Sequence, residues 1–197
     1  VVAMSRTFDM KQLGADAKGI KSCTELINRT IEKAASEGGG TIYFPVGTYL
    51  TATIHMKSNI TLYLESGAVL RFSDKFEDYL PFVTLRWEGT VMKSLSPLIY
   101  AHSADNVTIS GRGTLDGNGL KWWLWEFDTR KVIKENGGKL PALDKLQQMW
   151  VDANKNLEIS DYYKPSLERR MFRPPFIQFY ECTNILIENV KIINSPF

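Results

Sequence analysis

The feature that most restricts the fold of this chain is an internal repeat. The segment PLIYAHSADNVTISGRGTLDGN begins at Pro97, and the segment PFIQFYECTNILIENVKIINSP begins at Pro175. In both copies Ile stands two residues after Pro and Asn stands nine residues after Pro, and each Asn is followed by a β-branched residue, any residue and Ile. β-Rich repeats with Asn at recurring corners are typical of a parallel β-helix, in which each turn pairs with the next.

The repeat also predicts corners and register. Asn tolerates the left-handed backbone region, and its amide can bond to the turns above and below, so we interpret Asn59, Asn106 and Asn184 as corner residues. The 47 residues between Asn59 and Asn106 predict about two turns of roughly 22–25 residues each. Leu115 and Ile193 each stand nine residues past a corner Asn, and we expect them at equivalent positions.

An amphipathic helix precedes the β-rich segment. In SCTELINRTIEKAASEGGG the apolar residues recur at three- and four-residue spacing, and three glycines end the pattern. Because the end of a solenoid exposes apolar side chains and free strand edges, we expect this helix to cover the first turn. The predicted fold is therefore an all-β solenoid, a right-handed parallel β-helix with an N-terminal capping helix and a partly helical insertion.

We interpret residues 1–197 as the N-terminal part of one β-helix domain. Long excursions from a repeat scaffold usually build a binding face, and residues 76–96 are one such irregular stretch. The predicted parts are a cap region at 8–40, first turns at 41–118, an insertion at 119–172 that opens near KWWLWEF, and a next turn at 173–197 with the sequence ending in mid-solenoid.

Composition argues against several classes of protein. The net charge of +2 gives no reason to expect nucleic-acid binding. No stretch approaches the roughly 18 apolar residues of a membrane helix. Cys23 and Cys182 match no CxxC pattern, so a disulfide scaffold and a multi-cysteine metal site are excluded. We predict no cofactor, no metal, no nucleic acid and no membrane partner, and the sequence does not determine the oligomeric state.

Three stretches resemble the polygalacturonase-type, pectin-degrading glycoside hydrolases, which have the pectin-lyase-like fold. They are GGGTIYFPVGTYLTATIHMKSNITLYLESGAVL, GTLDGNGLKWWLW and RPPFIQFYECTNILIENVKIINSPF, and the resemblance runs from about Phe8 to Phe197. One departure is ADAKGIKS, where the family's early loop more often has Gly-Asp-Gly. The resemblance implies inverting hydrolysis of α-1,4-galacturonan, with one Asp protonating the leaving oxygen and another activating water at a carboxyl separation of roughly 6.5–9.5 Å.

The resemblance also implies a secreted or periplasmic enzyme, although VVAMSRTFDM does not match a signal peptide. The family's catalytic motifs are Asn-x-Asp, an Asp-Asp pair, Gly-His-Gly and Arg-x-Lys, and none occurs in this sequence. In the family they lie downstream of the NSP sequence, so we expect no catalytic residue in this chain and place the catalytic turns beyond residue 197. We interpret His55 and His102 as structural or surface residues, and Asp116 as part of a structural turn.

Six residues are candidates for substrate binding. Arg binds carboxylates bidentately, galacturonan carries a carboxylate on each sugar, and sugar faces stack on Trp. In family members that cut from chain ends, excursions close one end of the cleft, which implies exo action with an Arg on the terminal carboxylate. The tryptophans could instead anchor the insertion, and the arginines could pair with acids. The candidates are Arg86, Glu88, Trp122, Trp123, Arg173 and Asn194.

The expected partner is a pectic polysaccharide or an oligogalacturonide, and two alternatives remain open. One is a hydrolase of another pectin backbone, such as rhamnogalacturonan or xylogalacturonan. The other is a non-catalytic β-helix module that binds polysaccharide or serves as an adhesin or tailspike scaffold. A pectate lyase would need a calcium-binding carboxylate cluster, which the sequence does not show.

Overall fold

A computed structural model describes residues 6–157 and 173–197 of the chain. Its helices are α1 (Thr24–Ser36), α2 (Leu120–Glu135) and α3 (Lys145–Asn154). The strands, in chain order, are β1 (Thr7–Asp9), β2 (Lys18–Ser22), β3 (Gly40–Phe44), β4 (Gly47–Thr51), β5 (Ile54–His55), β6 (Ile60–Leu64), β7 (Ala68–Phe72), β8 (Val83–Trp87), β9 (Thr90–Ser94), β10 (Ile99–His102), β11 (Asp105–Gly111), β12 (Thr114–Asp116), β13 (Ile177–Tyr180), β14 (Thr183–Ile187) and β15 (Lys191–Ile193).

Three parallel sheets form the faces of a solenoid. The first sheet has the order β1-β3-β6-β11-β14, the second β2-β4-β7-β12-β15, and the third β5-β10-β13. From β3 onward the chain visits the three sheets in rotation, and each strand pairs in parallel with its equivalent in the neighbouring circuit. The predicted parallel β-helix is confirmed, and its right hand is the one that parallel crossover connections adopt.

The two copies of the repeat lie in register in adjacent turns. Ile99 pairs with Ile177 in the third sheet, and Val107 pairs with Ile185 in the first. The copies stand 78 residues apart along the chain, yet strand pairing places them side by side. The chain leaves the solenoid after β12 and returns at β13, and the described residues between these strands add no rung.

The predicted equivalence of Leu115 and Ile193 is wrong by one residue. Leu115 pairs with Ile192, and Ile193 pairs with Asp116. The step from Ile187 to Lys191 is one residue shorter than the equivalent step from Ile109 to Thr114, which shifts the register there. Because side chains alternate along a strand, this shift is what keeps an apolar residue at the inward position.

Asn residues occupy the predicted corners. The φ angles of Asn59, Asn106 and Asn184 are 63°, 57° and 54°, in the left-handed region that Asn tolerates. Asn106 Nδ2 donates to Asn59 Oδ1 at 3.0 Å, and β6 pairs directly with β11. The predicted two turns between Asn59 and Asn106 are therefore wrong: one turn separates them, and the surplus residues form the excursion at 76–96.

Inward side chains of successive turns stack into one continuous core. Alternate residues of each strand point inward, which gives columns of fully buried apolar groups. Close stacking also dictates a glycine, because a Cβ at Gly111, whose φ is +115°, would lie 2.0 Å from the Leu64 carbonyl oxygen. The columns include Ile42, Phe44, Ile60, Leu62, Leu64, Leu70, Val107 and Ile109.

Helix α1 covers the first turn, as predicted. Its residues Ile27 and Ile31 are fully buried and belong to the main core. It also covers the free edge of β5, because Asn28 Oδ1 accepts from the His55 backbone N–H at 2.8 Å and Asn28 Nδ2 donates to the Thr53 carbonyl at 2.9 Å. Helix α1 therefore covers both the apolar end and the open strand edge of the solenoid.

The two excursions pack on each other. Strands β8 and β9 form an antiparallel hairpin, and a second, smaller core joins Leu85, Trp87 and Met92 of this hairpin to Trp150 of α3. Helices α2 and α3 lie in the predicted insertion, whose residues 158–172 fall outside the described residues. Within the described ranges, none of the helices has the length and apolarity needed to cross a membrane.

Candidate functional site

The outward side of the third sheet carries polar and aromatic side chains, which we call the third-sheet face: His55, Tyr100, His102, Gln178 and Tyr180. Tyr100 lies opposite both His55 and Gln178, and His102 lies opposite Tyr180. The ring centroids of His55 and Tyr100 are 5.6 Å apart, and those of His102 and Tyr180 are 5.1 Å apart. Tyr100 itself is buried, so the rings of this face that are suited to contact with sugars are the accessible ones of His102 and Tyr180.

Two open depressions lie along this face. The larger, of about 460 Å³, is lined by Arg86, Gln178, Tyr180 and Glu181 among others. The smaller, of about 270 Å³, is lined by residues that include Lys57 and side chains from β5 and β10. Concave polar surfaces with convergent charged groups are the default places to look for a ligand site.

Two exposed cations, Lys57 and Arg86, and one carboxylate, Glu181, line the depressions. Glu181 Oε2 lies 3.2 Å from His102 Nε2. Burial lowers the pKa of His55, and Lys57 lowers it further while Glu32 opposes them, so the imidazole is neutral at pH 7. Lys57 and Arg86 are exposed, which makes the face suited to an anionic ligand.

Of the predicted substrate contacts, Arg86 and Glu88 lie on the hairpin. Arg86 is exposed, and no carboxylate among residues 6–157 and 173–197 forms an ion pair with its guanidinium. Glu88 has a φ of 45° and forms the two-residue turn with Gly89. Within the described part of the chain, Arg86 therefore presents an unpaired cation beside the larger depression. The substrate role of Glu88 stays a prediction.

The tryptophans of α2 serve mainly as anchors. Trp122 is fully buried, with its ring stacked on Phe76 at a centroid distance of 4.2 Å, so the prediction that it contacts substrate is corrected. Trp123 is half-buried, and its Nε1 donates to the Ser195 carbonyl at 2.8 Å. Because part of the Trp123 ring is accessible, its role in substrate binding stays a prediction. Its Nε1 is already bonded within the protein.

Arg173 is engaged in a buried ion pair. Its Nη2 lies 2.6 Å from Glu126 Oε2, and its Nη1 donates to the Pro196 carbonyl at 2.9 Å. The guanidinium also lies over the ring of Phe197 at 5.1 Å. Burial lowers the pKa of Arg173 while Glu126 opposes the shift. These contacts tie α2 to the returning chain, so a ligand carboxylate would have to displace Glu126.

Asn194 forms part of a structural corner. Its Nδ2 donates to Asp116 Oδ1 at 3.0 Å, and its φ is 55°. Asp116 also pairs with Arg71, with Nε and Oδ2 3.3 Å apart. A Cβ at Gly119 would lie 2.7 Å from the Asn194 carbonyl oxygen, which explains the second glycine of LDGNG. The substrate role predicted for Asn194 stays a prediction, with its amide already bonded.

The sequence interpretation missed the third-sheet face itself. His102 was expected to be a structural or surface residue, and Tyr100, Gln178 and Tyr180 were not singled out. The signal was present, because the matched segments IYAH and IQFY place polar and aromatic residues at alternate, outward positions of the repeat. Among the described residues, no group of three or more His, Cys, Asp or Glu side chains could hold a metal ion.

These features define a right-handed parallel β-helix with a polar, cation-bearing face, and the comparisons with known proteins agree with the fold. Residues 7–80 match the family described as "Rhamnogalacturonase A/epimerase, pectate lyase-like". The chain is 26% identical over 171 residues to a "Probable polygalacturonase" of Vitis vinifera, covering 84% of this chain and 27% of that protein. It is 25% identical over 194 residues to the "Plasmin and fibronectin-binding protein A" of Streptococcus pneumoniae, covering 95% of this chain and 24% of that protein.

Among solved structures, the fold is similar to a hyperthermoactive exopolygalacturonase from Thermotoga maritima. The TM-score is 0.74 and the identity 35%, with 98% of this chain and 42% of that chain covered. The resemblance to polygalacturonase-type glycoside hydrolases of the pectin-lyase-like fold is therefore confirmed. The chain spans about a quarter of the length of the two curated relatives and less than half of the Thermotoga structure.

Proposed function

We propose that this chain carries part of the substrate site of a pectin-degrading glycoside hydrolase that acts on α-1,4-galacturonan. The observation that carries the proposal is the exposed guanidinium of Arg86, which has no ion-pair partner among residues 6–157 and 173–197 and lies in a depression that it shares with Tyr180. A guanidinium binds a carboxylate bidentately, and galacturonan presents one carboxylate on every sugar. We place the protein in the secreted or periplasmic space, because its polymeric substrate lies outside cells.

In this proposal the described residues bind and orient the substrate, while the acid and base stand beyond residue 197. Inverting hydrolysis needs one protonated and one ionised carboxyl, roughly 6.5–9.5 Å apart. Burial raises the pKa of Asp116, but hydrogen bonds from Asn194, the Asn118 N–H and Arg71 outweigh burial and hold it below its usual range. Asp116 is therefore ionised at neutral pH and unsuited to protonate a leaving oxygen.

The hairpin supports exo action within the same proposal. It lies across the third sheet, since Tyr100 Oη donates to the Thr84 carbonyl at 2.6 Å. An excursion in this position shortens the open length of the face, and Arg86 on the hairpin would hold the terminal carboxylate of a galacturonan chain. The similarity to the Thermotoga exopolygalacturonase supports this proposal.

The test replaces Arg86 with Ala in the longest form of the protein that its gene encodes. We expect the affinity for trigalacturonate, measured by calorimetry, to fall about tenfold, because a hydrogen bond to a charged group contributes about 1.5–3 kcal/mol and solvent exposure reduces that value. Arg112→Ala is the matched control, since Arg112 is also exposed but lies at a corner between the first and second sheets. Equal affinities for R86A and wild type would remove the basis of the proposal.

A second candidate is a hydrolase of rhamnogalacturonan, which the description of the matching family favours. A reducing-end assay that offers polygalacturonate and rhamnogalacturonan separately distinguishes the two backbones.

A third candidate function, the non-catalytic binding module, is favoured by the similarity to the pneumococcal binding protein. Binding of trigalacturonate without release of reducing ends from either polymer would favour that module over both enzymes.

A further inference from the structure

We propose that Gln178 is the positioning residue for Arg86. Its carboxamide fixes the backbone of the strand that carries Arg86 and so determines where the guanidinium stands above the third-sheet face. The inference rests on the proposed function, because it assigns Arg86 to a uronate carboxylate. It adds a residue that does not itself need to touch the substrate.

The first step concerns the free edge of β8. The hairpin has only two strands, so β8 pairs with β9 on one side and leaves alternate N–H and C=O groups unpaired on the other. Arg86 is opposite Val91, and both its backbone N–H and its C=O face away from β9. The Arg86 N–H donates to Gln178 Oε1 at 2.8 Å, and Gln178 Nε2 donates to the Arg86 C=O at 2.6 Å.

The second step concerns Tyr100, which lies beside Gln178 and bonds to the same strand. Tyr100 and Gln178 lie opposite each other on adjacent rungs of the third sheet. Tyr100 Oη donates to the carbonyl of Thr84, two residues before Arg86 on β8. Two neighbouring side chains of the rigid solenoid therefore hold the same edge of β8 through three hydrogen bonds. Sites built on rigid elements place functional groups more accurately than free loops do.

The third step concerns the direction of the Arg86 side chain. Leu85 and Trp87, on either side of it, are buried in the second core. Because side chains alternate along a strand, Arg86 points to the opposite side, where it lines the larger depression with Gln178 and Tyr180. Losing the bonds of Gln178 would free β8 to move relative to the solenoid, and the guanidinium would lose its fixed place over the depression.

The experiment measures trigalacturonate affinity by calorimetry in Gln178→Leu and in Tyr100→Phe. Leu has a similar size but lacks the carboxamide, and Phe removes a single oxygen and so tests the same strand if Q178L folds poorly. We expect affinity to fall about fivefold for Q178L, which removes two hydrogen bonds to β8, and about threefold for Y100F, which removes one, since the strand keeps its other contacts. Tyr63→Phe, on the first sheet, is the control for Y100F.

A double-mutant cycle separates positioning from other roles. If Gln178 acts through Arg86, then Q178L weakens binding in the wild-type background and has no further effect in R86A. A fully methyl-esterified trigalacturonate, which lacks the carboxylate charge, should bind wild type and Q178L equally. A general structural role would not produce either result.

The outcomes separate this inference from the function on which it rests. If R86A weakens binding while Q178L and Y100F do not, positioning is refuted and the role of Arg86 stands. If Q178L weakens binding equally in both backgrounds, Gln178 contacts the ligand directly and positioning is again refuted. If R86A binds as tightly as wild type, the proposed function of Arg86 is refuted, and the positioning role of Gln178 is refuted with it.

Discussion

Asn28 provides the sharpest test of how the solenoid is closed at its first turn. It lies on α1, where Nδ2 donates to the Thr24 carbonyl at 3.0 Å and to the Thr53 carbonyl at 2.9 Å. Its Oδ1 accepts from the His55 N–H at 2.8 Å. The substitution Asn28→Asp keeps the shape of the side chain and the accepting oxygen, but it replaces the donor with a second acceptor.

The expected cost follows from these contacts. Two donated hydrogen bonds are lost at about 1 kcal/mol each, and a carboxylate oxygen then faces two carbonyl oxygens with its charge partly desolvated, which costs about 1–3 kcal/mol more. We therefore expect N28D to lower the free energy of unfolding by about 3–5 kcal/mol at pH 7. Urea denaturation followed by tryptophan fluorescence measures this as a lower midpoint at unchanged slope.

The same substitution makes a prediction about pH. A protonated carboxyl can again donate one hydrogen bond, so folding should raise the pKa of the new group above its unfolded value of about 3.9. A raised folded pKa contributes stability below the unfolded pKa, and that stability is lost as pH rises through the folded pKa. The deficit of N28D should therefore be smaller at pH 4 than at pH 7.

Asn136→Asp is the matched control. Asn136 Nδ2 donates to the Lys139 carbonyl at 3.0 Å in an exposed segment after α2, so the same change in charge should cost less than about 1 kcal/mol there. An N28D protein within 0.5 kcal/mol of wild type, or one whose deficit does not depend on pH, would refute the idea that the Asn28 carboxamide closes the edge of β5.

The remaining predictions concern Trp122 and His55. Trp122→Ala should destabilise the protein by about 3–5 kcal/mol in urea, because a buried ring stacked on Phe76 is lost; its trigalacturonate affinity should stay at the wild-type value, and a selective loss of affinity would mean that Trp122 reaches the substrate. Burial lowers the pKa of His55, so the unfolded chain binds more protons and stability should fall as pH drops below about 6.5. His55→Asn should flatten this fall between pH 7 and pH 5, whereas parallel stability curves would contradict it.

Strand register in the first and third sheets could be predicted from the repeat. The offset that aligns Pro97 with Pro175 also pairs Ile99 with Ile177 and Val107 with Ile185, whereas the second sheet is shifted by one residue. Turn count could not be predicted from the spacing of Asn59 and Asn106, because the excursion at 76–96 adds residues without adding a rung. A spacing along the chain measures turns only where the chain stays on the solenoid, and an irregular stretch does not reveal from its sequence whether it adds a rung.

The site was harder to predict, for a related reason. The exposure of Arg86 could be guessed from its place in an excursion, but the burial of Trp122 depends on Phe76, which belongs to the other excursion. Likewise Gln178 bonds to Arg86 across 92 residues of sequence. Contacts between two excursions, or between an excursion and a face, leave no periodic trace in a single sequence.

Three carboxamide side chains bond to unpaired backbone groups at strand edges in this fold. Asn28 bonds the edge of β5, Gln178 that of β8, and Asn154 bonds both the N–H and the C=O of Lys93 in β9 at 2.8 and 2.7 Å. A carboxamide carries the same donor and acceptor pair as a peptide group, so one side chain can satisfy both groups of an edge residue. Excursions multiply such edges: Gln178 attaches β8 to the solenoid, and Asn154 attaches β9 to α3 of the other excursion. For the same reason a single substitution at Gln178 should alter the placement of Arg86 while leaving the stacked turns beneath it intact.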